Sequence, residues 1–303
     1  MDGILPLWKP KGMTSHDCVF KIRKLLKLKK VGHTGTLDPD VTGVLPICLG
    51  KATKIAEYIS NAGKEYIGEI VIGFSTITED ASGALLEKKP VSEVIQREKI
   101  EAVLQSFIGE ITQTPPLYSA VKVKGKRLYE YAREGIEVER PTRKVQIYDL
   151  QLIEKASALK DGTFSFKIRV HCSKGTYIRT LAVMIGEKLG YPAHLAQLER
   201  ISSGPFKKEE SVTFAQIEEH LSKNTLRHII LPLEIGLSHL PKHSIDDKLT
   251  KKVKNGAVLT LPDWWPVKES EVVLYHQQKA IAIYAKHPIK KHYIKPVKVL
   301  QID

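Results

Sequence analysis

Hydrophobic and polar positions recur with two different periods along this 303-residue chain. Between Ser15 and Leu28, Val19, Ile22, Leu25 and Leu26 fall at helical spacing, which predicts an amphipathic helix. Ser15 is the expected N-cap, with Asp17 in the first turn. The other face carries Lys21, Arg23, Lys24 and Lys27 and leads into Lys29 and Lys30. Ala52 to Ile59 predicts a second, short helix. From Glu65 the period drops to two, so Tyr66, Gly68, Ile70, Ile72 and Phe74 share one face of a predicted strand. Ser75 to Gly83 is a polar turn segment. Helical spacing returns from Glu98 to Phe107 through Ile100, Val103 and Leu104. The stretch Thr112 to Gly135 mixes prolines, a basic hairpin tip at Lys124–Gly125–Lys126 and a helical run. Val145 to Ile153 and Phe164 to His171 predict strands. Thr176 to Leu189 predicts a helix stopped by Gly190, a natural C′ residue.

The strands are unevenly spaced and no βα unit repeats. That favours the α+β class, with a mostly antiparallel mixed sheet. A boundary is expected near Leu237 to His243, where Pro232 and Pro241 lie close by. Beyond it the chain is basic and strand-rich, and VLYHQQKAIAIYAKH reads as two strands around a turn. The expected organisation is one domain over 1–237 and a small β-rich domain over 238–303.

Apolar residues make up 42% of the chain and charged residues 27%, a globular rather than disordered composition. The formal net charge of +13 argues for a polyanionic partner, because surface Lys and Arg release counterions from phosphates. A solvated basic surface is the plainer alternative. Cys18, Cys48 and Cys172 stand alone, without metal-ligand spacing, and so fit a reducing compartment. The start MDGILPLWKPKGM lacks the pattern of a signal peptide. No run approaches the apolar length of a transmembrane helix. A cytoplasmic protein away from the membrane is expected.

Candidate chemistry concentrates in GHTGTLDPDVTGVLP, Gly32 to Pro46, read as a loop. Its glycines permit backbone shapes closed to other residues, and Pro39 fixes the turn after Asp38. A residue before proline is pushed out of the helical region, so Asp38 is displayed in an extended or turn geometry. A carboxylate held this way suits a nucleophile or general base. It equally suits a turn cap, the commoner role of Asp-Pro, and local chemistry leaves both open. Asp40 is less constrained. The loop lacks the GK[ST] of a phosphate cradle. SKGTYIRT, Ser173 to Thr180, joins a strand to a helix. There Arg179 suits a carboxylate or phosphate partner or an exposed helix surface. Tyr66 and Tyr177 suit base stacking or simple packing. His33 is a loop histidine or a group beside a displaced base.

Six blocks in order resemble the bacterial TruB family of tRNA pseudouridine synthases. They are WKPKGMTSHDCVFKIRKLL, KKVGHTGTLDPDVTGVLPICLGKATK, KEYIGEI, PPLYSAVKVKGKRLYEYAREG, CSKGTYIRTLA and AHLAQLERISSGPF. They run from Leu7 to Phe206, roughly two thirds of the chain. The resemblance implies isomerisation of a T-loop uridine of tRNA to pseudouridine, with no metal and no organic cofactor. It implies that Asp38 is the catalytic aspartate, that Arg179 pairs with it, and that Tyr66 stacks on the target base. By the same correspondence His33 contacts the displaced nucleotide, Tyr177 belongs to the substrate pocket and Leu198 closes it. Lys9 and Lys11 match a KPKG motif that supports the loop. The C-terminal domain is expected to be PUA-like and RNA-binding. No guide RNA is expected, and nothing demands more than a monomer. Two positions depart from the family: Asp40 replaces an apolar residue, and Glu199 stands where a basic one is frequent.

Overall fold

The computed structural model describes residues 1–301 except 157–158 and 268–269. The first part of the chain forms β1 (Gly3–Lys9), α1 (Ser15–Leu26), β2 (Val31–His33), β3 (Thr42–Leu49) and α2 (Ala56–Asn61). Next come β4 (Lys64–Ile72), β5 (Phe74–Thr76), β6 (Leu85–Lys88), α3 (Arg97–Gln105) and β7 (Gly109–Gln113). A hairpin of β8 (Lys122–Val123) and β9 (Lys126–Arg127) leads to α4 (Leu128–Arg133), β10 (Arg143–Lys155) and β11 (Phe164–Cys172). Then follow α5 (Ile178–Leu189), β12 (Ala193–Ser203), β13 (Phe206–Lys207) and α6 (Phe214–Ser222). The C-terminal part holds β14 (Lys242–Ser244), α7 (Asp247–Lys254), β15 (Leu259–Thr260), β16 (Glu271–His276), β17 (Lys279–Lys286) and β18 (Tyr293–Val299).

The chain divides into two compact units. The first gathers Met1–Pro39, Val44–Asn61 and everything from Ser203 onward. Its largest core joins Ile4, Val44, Ile55 and Ile59 from the N-terminal segments to Leu237, Val273, Ile283 and Leu300. A second core packs α1 through Cys18, Val19 and Ile22 against Leu5, Leu7 and Ile47. The stretch expected as the 238–303 domain carries its own sheet, in the order β14-β16-β17-β18-β15, over a core of Val253, Trp265, Leu274 and Tyr284. All its pairings are antiparallel except β14 with β16. It therefore shares the unit's largest core as well as having one of its own. Residues 302–303 of that expected domain lie outside the described residues.

The second unit comprises Asp40–Gly43 and Ala62–Ser202. Its strands run in the order β12-β4-β11-β10-β7. Pairing is antiparallel from β4 through β7. Helix α3 packs on β10 and α5, and α5 packs on β4. The α+β class with a mostly antiparallel mixed sheet is what the structure shows. Among the described residues no helix is long and apolar enough to cross a membrane.

Burial alternates along β4 as the period of two requires, with Lys64, Tyr66, Gly68, Ile70 and Ile72 buried. The strand stops before Phe74. Gly73 has φ +117°, and a Cβ there would lie 2.6 Å from Gly162 O. Phe74 opens the separate strand β5. The expected N-cap is corrected by one residue: Thr14 Oγ1 accepts from Asp17 N (3.0 Å), and the Asp17 carboxylate accepts from Thr14 N (2.9 Å). Strands β1, β3 and β12 escaped the periodicity. For β1 and β3 the reason is burial on both faces, which removes alternation from GILPLWK and TGVLPICL. The segment read as one loop from Gly32 to Pro46 is a true loop only between β2 and β3.

Candidate active site

The first unit carries Asp38 on a turn whose two neighbours are pinned. Ser15, freed from capping and buried, accepts from Leu37 N (2.8 Å) and donates to Leu37 O (3.3 Å) through its hydroxyl. On the other side, Pro39 O accepts from Gly12 N (2.8 Å) and from the Lys9 ammonium (3.0 Å). Lys9 is fully buried and also donates to Pro10 O (2.8 Å). A buried charge of this kind persists only where hydrogen bonds satisfy it, so Lys9 ties its own loop to the Asp-Pro turn. Lys11, in contrast, is exposed. Gly12 takes φ +85°, a left-handed conformation that suits the tight KPKG turn.

His33 ends β2, half-buried, and its Nδ1 accepts from Gly35 N (3.2 Å). That bond requires Nδ1 to be unprotonated and leaves any ring proton on Nε2. Thr34 is fully buried: its hydroxyl donates to Pro46 O (3.3 Å) and its carbonyl accepts from Ser60 Oγ (2.8 Å). Asp38 is half-buried and Asp40 exposed.

The second unit carries the other candidates. Tyr66 is buried on β4, opposite Val170 of β11. Gly68 lies two residues on along the same face. A Cβ there would come within 3.3 Å of both Leu195 Cδ1 and Leu198 Cδ1. The missing side chain thus makes the room that Leu198 fills, which places Leu198 on the face that bears Tyr66. Tyr177 precedes α5, and buried Gln113 holds it on both sides. Gln113 Oε1 accepts from Tyr177 N (2.9 Å), and Nε2 donates to Tyr177 O (3.2 Å). The Arg143 guanidinium lies over the Tyr177 ring, 5.2 Å from its centroid.

Arg179 is buried in the first turn of α5, not an exposed helix residue. Its guanidinium donates to Thr78 O (2.9 Å) and Tyr118 O (3.0 Å), with Asp80 Oδ2 at 3.6 Å. The next residue, Thr180, donates to Glu79 Oε2 (2.7 Å). Thr78, Glu79 and Asp80 therefore grip residues 179 and 180 as a unit. Glu79 does so with φ +63°, uncommon for a residue with a side chain. Burial pushes its carboxyl above the usual carboxylate range, although the Thr180 hydroxyl and Arg179 pull it back. Asp80 is braced by Thr78 Oγ1 (2.7 Å) and Ser82 Oγ (2.6 Å). Beside this turn is a cavity of ≈ 740 Å³, lined by Glu79, Arg140, Ile77, Leu117 and Ile136 among others.

Ser15, Gln113, the Thr78–Asp80 turn and Tyr118 were not among the sequence candidates. The polar segment Ser75–Gly83 signalled only a turn. Arg200 was also missed. It is fully buried on β12 and pairs with Gly43, where a Cβ would sit 2.2 Å from Arg200 O. That close approach, with φ +126°, explains the glycine. Glu199 pairs with Thr42 in the same parallel register. Among the described residues, no cluster of three or more His, Cys, Asp or Glu side chains could hold a metal ion.

Comparison with known proteins identifies the family. The model of the TruB family pseudouridylate synthase N-terminal domain matches residues 23–178. The tRNA pseudouridylate synthase B C-terminal domain matches residues 179–238. The tRNA pseudouridine synthase B of Geobacillus thermodenitrificans is 55% identical over 302 residues, 99% of this chain and 100% of that protein. Its counterpart in Bacillus subtilis is 54% identical over 303 residues, 99% of this chain and 98% of that one. A crystal structure of a Cbf5–Nop10–Gar1 complex contains a chain with TM-score 0.75 and 31% identity, covering 99% of this chain and 85% of that one. The pinned Asp-Pro turn and the buried arginine lie within a sequence matched over nearly its whole length, and the chain belongs to the TruB family of pseudouridylate synthases.

Proposed function

We propose that this chain is a stand-alone tRNA pseudouridine synthase that isomerises the T-loop uridine conventionally numbered 55. Asp38 is its catalytic carboxylate. One observation carries the reading: a chain alike over its full length to tRNA pseudouridine synthases B devotes a buried lysine and a buried serine to fixing the turn at Asp38.

The chemistry is an isomerisation. The N1–C1′ bond breaks, the uracil turns, a C5–C1′ bond forms, the proton on C5 is lost and N1 takes one up, so substrate and product have the same atoms. A positioned carboxylate serves either route to the intermediate, by attack on the sugar or by assisting loss of the 2′ proton. Arg179 supplies the positive charge that keeps such a carboxylate ionised in a dry pocket. Tyr66 holds the detached ring by its face, and Leu198 keeps water from it. His33 and Tyr177 contact the displaced nucleotide, and Lys9 and Lys11 support the loop. The reaction as proposed uses no metal or organic cofactor.

The target base lies within a folded RNA loop and must be flipped out, at a cost of a few kcal/mol, roughly. Phosphate contacts from Lys21–Lys30, Lys122–Lys126 and the C-terminal lysines offset it. The hairpin tip suits such a contact, because Lys124 and Gly125 both have positive φ and display it in a tight turn. The 238–303 stretch serves as a PUA-like RNA-binding domain on the acceptor-stem side. On this reading the protein works as a monomer, in the cytoplasm, without a guide RNA.

The Cbf5 chain occurs in a complex with other proteins, which favours a second reading: an enzyme active only within an assembly. One experiment decides. The purified chain is incubated with an unmodified tRNA transcript, and pseudouridine is mapped by carbodiimide labelling and primer extension. A single product in the T-loop, without any added RNA or protein, is expected. No product despite RNA binding overturns the proposal and favours the second reading.

A further inference from the structure

Beside the C-terminal sheet, Trp264 and His243 form an aromatic pair outside the core. Trp264 and Trp265 are neighbours in PDWWP yet meet different fates. Trp265 is buried in the core with Val253, Leu274 and Tyr284. Trp264 keeps 36% of its surface exposed. Its indole lies flat on the His243 imidazole, with ring centroids 3.6 Å apart and planes inclined by 6°.

This pair is rigidly mounted. Trp265 N donates to Pro262 O (3.0 Å), closing a turn that places Trp264 near its tip, and Pro266 follows. His243 sits in the middle of β14 and pairs with Leu274 of β16. Burial lowers the His243 pKa, so the imidazole is neutral at neutral pH and stacks as an uncharged ring. A preformed, half-open aromatic stack is costly to leave in water and loses little side-chain freedom when a third ring is added.

The surroundings select the third ring. Residues 238–303 contain twelve lysines against six acidic residues. Lys242 precedes His243 on β14. Leu261 N donates to His292 O (2.8 Å), which brings the loop bearing Lys290 and Lys291 beside the start of the Trp264 turn. An aromatic face on a lysine-rich module suits single-stranded nucleic acid, stacking for the base and ammonium groups for the backbone.

We propose that Trp264, backed by His243, is a stacking platform for an unpaired base of the bound RNA, separate from the candidate active site. The proposal deepens the RNA-modifying reading given above by naming a contact through which the C-terminal module grips its substrate.

The test uses the full chain and a labelled, unmodified tRNA transcript, with affinity measured across a salt series. Trp264→Ala should weaken binding by about 5- to 160-fold, the range for loss of one base–aromatic stack. It should leave the slope of log Kd against log salt unchanged, because no phosphate contact is lost. Trp264→Phe, which keeps an aromatic face, should recover most of the affinity, and thermal melts of both variants report folding. Trp264→Ala binding within about twofold of wild type overturns the platform. So does an affinity loss accompanied by a shallower salt slope, which would mark Trp264 as a support for lysines. Pseudouridine formation is scored on the same samples. If the wild type makes none, the functional reading falls, while the binding comparison still decides the platform.

Discussion

Asp38 and Arg179 belong to different compact units and are held in different ways. The turn at Asp38 is fixed from nearer in sequence, by residues between Lys9 and Pro39. Ser15 and Lys9, which bond Leu37 and Pro39, lie 22 and 30 residues away, and Pro39 itself sets the backbone. Arg179 is fixed at long range by carbonyls 101 and 61 residues away. The first arrangement positions a carboxylate by shaping the chain that bears it. The second positions a guanidinium by building a socket from segments that have no proximity in sequence. A local turn tolerates change elsewhere in the molecule, whereas a socket of carbonyls fails when any contributing segment shifts.

The comparison can be broken most severely at the acid. Asp38→Asn should abolish pseudouridine formation on a tRNA transcript and leave tRNA binding nearly intact. Asp40→Asn should stay active; equal inactivity would move the catalytic role from Asp38 to its neighbour. Next in size is the socket. Arg179→Lys keeps a charge but cannot span Thr78 O and Tyr118 O with a planar fork. Single-turnover rates should fall by roughly 10²–10³, as when a preorganised electrostatic donor is lost.

Lys9→Met tests the local side. It keeps the buried stem and removes the ammonium, taking that donor from Pro10 O and leaving Pro39 O with Gly12 N. Urea denaturation should show a loss of about 1–3 kcal/mol for the charge-assisted hydrogen bonds removed, with turnover falling as the turn loosens. Unchanged stability would mean that the turn holds without Lys9.

The smallest effect is a pH dependence at the socket. Burial raises the Glu79 pKa above its ordinary 4.5, so the folded state holds that proton more tightly than the unfolded chain. The associated stabilisation is fully present below pH 4.5 and fades as pH rises through the folded value. Glu79→Gln, which keeps a group able to accept from Thr180, should remove this component. Denaturation at pH 5 and pH 7.5, chosen roughly to bracket the window, should show the variant losing less stability than wild type between the two. A wild-type chain with no greater loss than the variant would contradict the shift.

How far the sequence could be read follows the same division. The period of two in β4 gave the face that holds Tyr66, and helical spacing gave α1, α3 and α5. Gly190 and the Lys124–Gly125 tip gave their turns. Contiguous motifs carried the family, because the Asp38 turn is written in adjacent residues. Strands β1 and β3 were invisible to periodicity because both faces are buried. The roles of Ser15 and Gln113 were invisible because their partners are backbone atoms of distant residues.

The sequence by itself determined the α+β class and the family, since composition, period and local motif are properties of neighbouring residues. Tertiary structure alone decided that Lys9, Arg179 and Arg200 are buried rather than solvated. It alone decided that Gly43 and Gly68 are absences filled by Arg200 backbone and Leu198 side chain. Only the fold left Trp264 exposed and sent Trp265 inside. The physical reason is common to all of these. A charged, small or aromatic residue takes its role from what packs against it, and those neighbours arrive only when the chain folds.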